Sequence, residues 1–228
     1  MITAVMQPYL FPYIGYYQLV YASDYFIFYD DVSFIKQGYI NRNNILVNGK
    51  QQRITLPVTG ASSNTNINEL TFQNSRKLIK TLEQTYRKSR YFQEVFPSIK
   101  RILELENRCV SRINYLSIKY VFDYLGIDKI FQFSSKLDYS REMNRSDRLI
   151  EMTKVNSCEQ YINSLGGYEL YDKIYFKSHG VRLSFLEAGI FEYGQGVDDF
   201  VPYLSMIDIL MHCSKEEIIA MLQSYKLV

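Results

Sequence analysis

The strongest constraint on the fold is the order of local signals in the first thirty residues. Ile2–Met6 is a short β-prone run that stops at Gln7-Pro8. Pro8 and Pro12 then restrict the backbone of a loop over Tyr9–Tyr13. IGYYQLVYA, from Ile14 to Ala22, has the length of one short helix, and Ser23-Asp24 leads into YFIFYDD. That continuous apolar and aromatic run suits a strand buried on both faces. Strand, loop, helix and strand in this order open an α/β fold.

The remaining chain extends the pattern. Asn48-Gly49 between two β-rich runs predicts a hairpin pairing Asn44–Val47 with Gln51–Pro57. Thr59–Asn68 is a polar loop. Apolar residues three and four apart predict helix over Ser75–Ser89 and Phe92–Leu125, with Gly126 as the stop. Strands are expected at Ile130–Ser134, Glu159–Asn163 and Arg182–Leu186. Helices are expected at Asp147–Val155, Tyr168–His179, Ile207–Met211 and Lys215–Tyr225. Alternating strands and helices favour a mostly parallel, covered sheet. With 228 residues, 47% of them hydrophobic, the expectation is one α/β domain over 1–228. Residues 75–125 form a helical insertion or subdomain in it.

Charge and composition narrow the function classes. A net charge of +2 gives no footing for nucleic acid. No apolar stretch approaches the roughly 20 residues of a membrane span, and MITAVMQPYLFPY lacks the basic start of a signal peptide. Cys109, Cys158 and Cys213 lie far apart, which reads as free thiols in a reducing, cytoplasmic setting. No cofactor or metal set is evident. The 21 tyrosines and 14 phenylalanines, with no tryptophan, offer rings with hydrogen-bonding tips for stacking on a sugar or base, or simply for filling a core.

The densest polar constellation follows the first two strands: Gln7, Asp30, Asp31, Lys36, Asn41, Arg42 and Asn43. Ligands of parallel α/β sheets collect beyond the carboxyl ends of strands, so these groups can converge on one crevice. Asp30 or Asp31 would act as general base, Lys36 and Arg42 would hold phosphates, and the asparagines would read hydroxyls. The plain alternative is a solvated loop with an Asp31–Lys36 ion pair. Gly166-Gly167-Tyr168 offers backbone N–H groups to an anion. Arg145 and Arg148 share one helix face, where they would clamp a phosphate or pair with Glu142 or Glu151. Tyr193-Gly194-Gln195 places an aromatic and an amide beside flexible backbone. Cys213 beside His212 reads as a buried structural cysteine, His179 as a helix-end imidazole, and Asp198-Asp199 as one weak metal ligand.

MQPYLFPYIGYYQLV, DYFIFYDDVSFIKQGYINRNNIL, the GGYELY turn and FVPYLSMIDILMHCS together resemble the WbqC-like protein family along nearly the whole chain. The family's pattern falls here on Gln7, Pro8, Tyr9, Pro12, Gly15, Asp30, Asp31, Lys36, Asn41 and Arg42, and later on Gly166, Gly167, Ser205 and Asp208. Tyr39 stands where many relatives have tryptophan, and His212-Cys213-Ser214 where many have Asn-Cys-Gly. The resemblance implies a cytoplasmic step on an activated sugar in O-antigen or other surface-glycan biosynthesis. The first thirty residues are also similar to the opening of HIGH-type nucleotidyltransferases and pantothenate synthetase, which implies a Rossmann-like, nucleotidyltransferase-like start. Tyr13-Ile14-Gly15-Tyr16 replaces their histidine pair, so the likeness extends to the fold and not to adenylyl transfer.

The resulting expectation is a transferase for a nucleotide-linked amino sugar, moving an acyl or aminoacyl group to the sugar amine from an acyl-carrier protein or acyl-CoA. Asp30, Asp31 and Lys36 are its catalytic candidates. Gln7, Tyr9, Tyr13, Gly15, Asn41, Arg42, Asn43, Gly167 and Gln195 are its substrate-binding candidates. The alternatives are a non-catalytic sugar-nucleotide-binding or assembly protein and a glycosyltransferase.

Overall fold

The computed structural model describes residues 1–228. In chain order the elements are β1 (Ile2–Met6), α1 (Ile14–Ala22), β2 (Tyr25–Phe28), β3 (Arg42–Val47), β4 (Lys50–Thr55), β5 (Val58–Thr59) and β6 (Thr71–Phe72). The helices α2 (Arg76–Tyr86), α3 (Phe92–Leu103) and α4 (Val110–Leu125) follow, then β7 (Ile130–Phe133), α5 (Arg145–Val155) and β8 (Gln160–Ser164). The chain closes with α6 (Lys173–Ser178), β9 (Arg182–Ala188), α7 (Met206–His212), α8 (Lys215–Gln223) and β10 (Tyr225–Leu227).

Six strands form the central sheet in the order β10-β9-β8-β1-β2-β7. All its pairings are parallel except β9 with β10. The chain builds outward from β1 to β2 and β7, then crosses back to lay β8 on the other side of β1. Between β1 and β8 the winding direction therefore reverses. Alternation along the strands feeds two cores: Ala4, Phe26 and Phe28 face one side, Val5 and Ile27 the other. The first side carries the larger core, shared with α1, α2–α4, α7 and α8. The helices of 75–125 thus pack into the same core as β1 and β2. α5 and α6 cover the second side through Leu149, Ile150, Met152 and Phe176.

α1 runs under this packing with Gly15–Val20 all buried. Gln18, in its middle, donates to the carbonyls of Met221 (2.7 Å) and Ser224 (2.9 Å), a second donor to carbonyls at the end of α8 that also accept from the Ser224 and Gly189 N–H groups. The β3–β4 hairpin forms about Asn48-Gly49, whose φ values of 50° and 75° suit the two-residue turn. Gly126 ends α4 with φ 72°.

Three helical expectations need correction. Phe92–Leu125 is two helices, because the carbonyl of Leu103 is taken by the Ser75 hydroxyl and the Arg108 guanidinium, which close α3. In Tyr168–His179 only Lys173–Ser178 is α-helical, since the Asp172 carboxylate caps the Ile174 N–H and sets the start there. Lys215–Tyr225 stops at Gln223, and Tyr225–Leu227 pairs antiparallel with β9.

Candidate functional site

The reversal point between β1 and β8 opens at the carboxyl ends of the strands into a cleft of about 900 Å³. Gln7 follows β1, Tyr29 and Asp31 follow β2, and Asn163, Ser164, Gly166 and Gly167 follow or end β8. A turn of 3₁₀ helix over Leu165–Gly167 carries the two glycines. A Cβ on Gly167 would lie 2.6 Å from the Asn163 amide, so any larger residue would have to displace that buried side chain. Gln7 is fixed through its carbonyl, which accepts from the Tyr16 hydroxyl at 2.9 Å.

Arg145 and Arg148, in the first turn of α5, complete the wall. Arg148 donates to the Met143 carbonyl at 2.7 Å and reaches the Tyr29 hydroxyl at 3.5 Å. Neither arginine has a carboxylate within ion-pairing distance; the molecule's ion pairs are Lys119–Asp123, Arg141–Asp31, His212–Asp208 and Lys215–Glu94. Two guanidinium groups without anions, three residues apart on one helix face, can hold a phosphate or diphosphate.

The adjacent aspartates have different surroundings. Asp30 is buried and does not line the cleft; its carboxylate accepts from the Ser134 and Ser135 hydroxyls and the Ser135 N–H, tying the end of β2 to the end of β7. Burial raises its pKa above the ordinary carboxylate value, while the Ser135 and Ser134 donors oppose the rise. Asp31 faces the cleft. It shares the one Ser134 hydroxyl proton with Asp30, and accepts from Tyr139 at 2.9 Å and from Arg141 Nε at 2.8 Å. Its ion-pair partner is thus Arg141, and Lys36 stays exposed, without an ion pair, outside the cleft lining. The guanidinium of Arg141 also lies over the Tyr139 ring, 4.6 Å from its centre.

Of the sequence-predicted residues, Gln7, Tyr9, Asp31 and Gly167 meet at this cleft. Asn41 instead donates to the Leu56 carbonyl and Arg42 to the Gly38 carbonyl. Asn43 is buried and donates to the Phe11 carbonyl at 2.5 Å. Gly15 packs in α1 against the Tyr13 ring, where a Cβ would approach to 2.5 Å. Gln195 bonds Val201 through both ends of its amide. Tyr9 and Tyr13 border a separate cavity of about 370 Å³, and Tyr9 belongs to both walls.

A third hollow, about 510 Å³, lies between the β3–β4 turn, α2 and α7. Fully buried Asp208 sits at its base, accepting from Tyr86 (2.7 Å) and Tyr193 (2.8 Å). His212 Nδ1 is 2.8 Å from the Asp208 carbonyl and 3.6 Å from its carboxylate. Burial opposes charge on this imidazole, but the hydrogen bonds and charge of Asp208 outweigh it and raise the His212 pKa. Cys213 is buried, and burial pushes its thiol up to about 12, so it is a protonated core residue at neutral pH. His179 ends α6 with Nδ1 2.9 Å from the Tyr175 carbonyl.

Fold and site define an α/β protein with a mostly parallel sheet and an arginine-lined cleft at its strand ends. The sequence profile of the WbqC-like protein family matches residues 7–220, and the chain belongs to that family. It is 25% identical over 219 residues to the uncharacterized protein Rv1507c of Mycobacterium tuberculosis (strain ATCC 25618 / H37Rv), covering 93% of this chain and 94% of that one. No solved structure matches the chain. No helix is long and apolar enough to cross a membrane.

Proposed function

We propose that the protein is a transferase acting on a nucleotide-linked amino sugar in O-antigen or other surface-glycan biosynthesis, with acyl or aminoacyl transfer to the sugar amine as its reaction. The observation that carries this reading is the pair Arg145 and Arg148, without carboxylate partners, on a cleft at the point where the sheet reverses. Ligands of open α/β sheets bind at such points, and the strand order supports a Rossmann-like, nucleotide-binding architecture over 1–228, with 75–125 as its helical insertion. In this reading the arginines, rather than Lys36 and Arg42, hold the diphosphate.

The sugar amine attacks the carbonyl of a thioester carried by an acyl-carrier protein or coenzyme A. The C–N bond forms as the C–S bond breaks, and the amine proton passes to Asp31 and on to the leaving thiolate. Such an attack needs orientation and a base, and no enzyme nucleophile. A carboxylate has about four lone-pair sites, and the donors on Asp31 leave room for one incoming N–H. Asp31→Asn is expected to lower turnover by about 100-fold or more while nucleotide-sugar affinity stays. Full activity of that variant would end the role of Asp31.

The same crowding of donors on Asp31 favours a second reading, a non-catalytic sugar-nucleotide-binding protein. Thermal stabilisation by a nucleotide sugar, with no turnover against any thioester donor, would select it.

A further inference from the structure

The 370 Å³ cavity beside the cleft is walled by Tyr9, Tyr13, Tyr39 and Tyr203, with the amides of Asn43, Asn44 and Gln51 among them. Its size falls within the usual range of small-molecule sites. No carboxylate, ammonium or guanidinium lies on its wall. Some tyrosine hydroxyls of the molecule are used internally, as where Tyr16 bonds Gln7, Tyr139 bonds Asp31, Tyr175 bonds Asp147, and Tyr86 and Tyr193 bond Asp208, while others such as buried Tyr17 have no partner. The hydroxyls of Tyr9, Tyr13, Tyr39 and Tyr203 and the side-chain amides of Asn44 and Gln51 make no internal bond, and here they gather on one cavity. Burial raises the pKa of Tyr9 and Tyr13, so both remain neutral phenols.

The wall is also held in place. Phe11, between the two buried-side tyrosines, has φ 41°, and Tyr203 has φ 59°, a region that residues with a Cβ rarely enter. The Phe11 carbonyl is gripped by the Asn43 amide and the Ser205 hydroxyl (2.7 Å), and its N–H by the Ser117 hydroxyl (3.2 Å). The Asn114 amide takes the Pro8 carbonyl at 2.9 Å, and the Met206 N–H takes that of Pro12 at 2.9 Å. Strained backbone pinned from several elements is a mark of a built binding surface.

We infer that this tyrosine cavity is a subsite for a neutral pyranose ring, whose C–H faces stack on the phenol rings while its hydroxyls meet free phenols and amides. Resting on the cleft reading above, it divides one ligand at Tyr9: charged diphosphate toward Arg145 and Arg148, sugar ring toward Tyr13, Tyr39 and Tyr203. Uncharged polar groups around aromatic faces match a sugar and supply no positive charge to balance a phosphate.

The test uses the full chain with two sets of probes. Methyl glycosides of glucose and N-acetylglucosamine are followed by saturation-transfer NMR. UDP, dTDP and GDP, each beside a hexose conjugate, are titrated by calorimetry. Tyr39 and Tyr203 are 49% and 58% exposed, so Tyr39→Ala and Tyr203→Ala are expected to fold, as thermal unfolding will verify. The expected result is saturation of the glycoside ring protons by the wild-type protein, lost in each variant. A conjugate is also expected to bind about tenfold more tightly than its nucleoside diphosphate, a margin each variant erases without changing the nucleoside diphosphate affinity. Absence of glycoside saturation, or a margin that survives both substitutions, overturns the subsite. Failure of every nucleotide to bind, with glycoside saturation intact, overturns the cleft reading and leaves the subsite standing.

Discussion

The cleft beyond β1 and β8 and the hollow above Asp208 are both concave and polar, yet they differ in how their polar groups are used. Around Asp208 the carboxylate takes two phenol donors, and the His212 ring turns back on its own helix. At the cleft, Arg145 and Arg148 line the opening with no carboxylate within ion-pairing distance, the Asp31 carboxylate of the same cleft being paired with Arg141. A buried charge with its ionic partner in place contributes to the fold, whereas a charge with no counter-ion is available to a ligand. Polarity and concavity alone do not separate the two; the presence or absence of an ionic partner does.

The largest expected effect lies in the satisfied region. Asp208→Ala strands the buried phenol of Tyr86 and the half-buried phenol of Tyr193, and is expected to destabilise the protein by roughly 3 kcal/mol in urea unfolding. Nucleotide affinity of the folded variant should stay within about twofold; a loss as large as the stability change would place Asp208 in the binding machinery. Next, Arg145→Ala combined with Arg148→Ala is expected to weaken nucleoside diphosphate binding about 30-fold, equivalent to roughly 2 kcal/mol, measured by calorimetry. Its stability should change by less than about 1 kcal/mol, the reverse of the Asp208 pattern.

A smaller effect is expected from pH. Folded His212 holds its proton more tightly than the unfolded chain, whose histidines titrate near 6.5. Its contribution to stability is therefore complete below that value and is lost as pH rises through the higher folded pKa. His212→Gln should flatten this part of the stability–pH curve, by less than the Asp208 decrement; an unchanged slope would assign it to another group. The smallest effect belongs to Lys36→Ala, expected to leave nucleotide affinity within about twofold because Lys36 lies off the cleft wall.

Local signals in the sequence carried much of the architecture. The turn at Asn48-Gly49, the stop at Gly126 and the aromatic run of β2 each have a short-range cause, so each was legible. β10 was not, because three residues become a strand only through the edge that β9 offers. The break after Leu103 has no glycine or proline to announce it; it depends on Ser75 and Arg108 from elsewhere in the chain. Gln7, Asp31 and Gly167 could be named because strand ends point to a crevice. Arg145 and Arg148 could be recognised as sharing a helix face, but their approach to Gln7 follows from laying β8 beside β1, which no local pattern encodes. Tyr29, Asn163 and Tyr139 were missed for the same reason. Lys36, Asn41 and Arg42 sit close in sequence to the cleft residues, yet the loop turns them away.

The grip on the first loop also has a consequence for when the site comes into being. The Phe11 carbonyl waits for the hydroxyl of Ser205, 194 residues later, and Pro12 for the N–H of Met206. Pairings that distant in sequence are slow to close, since the intervening chain must first be ordered. The tyrosine wall is therefore complete only once α7 has docked, and its completion reports on the arrival of α7 as much as on the loop itself.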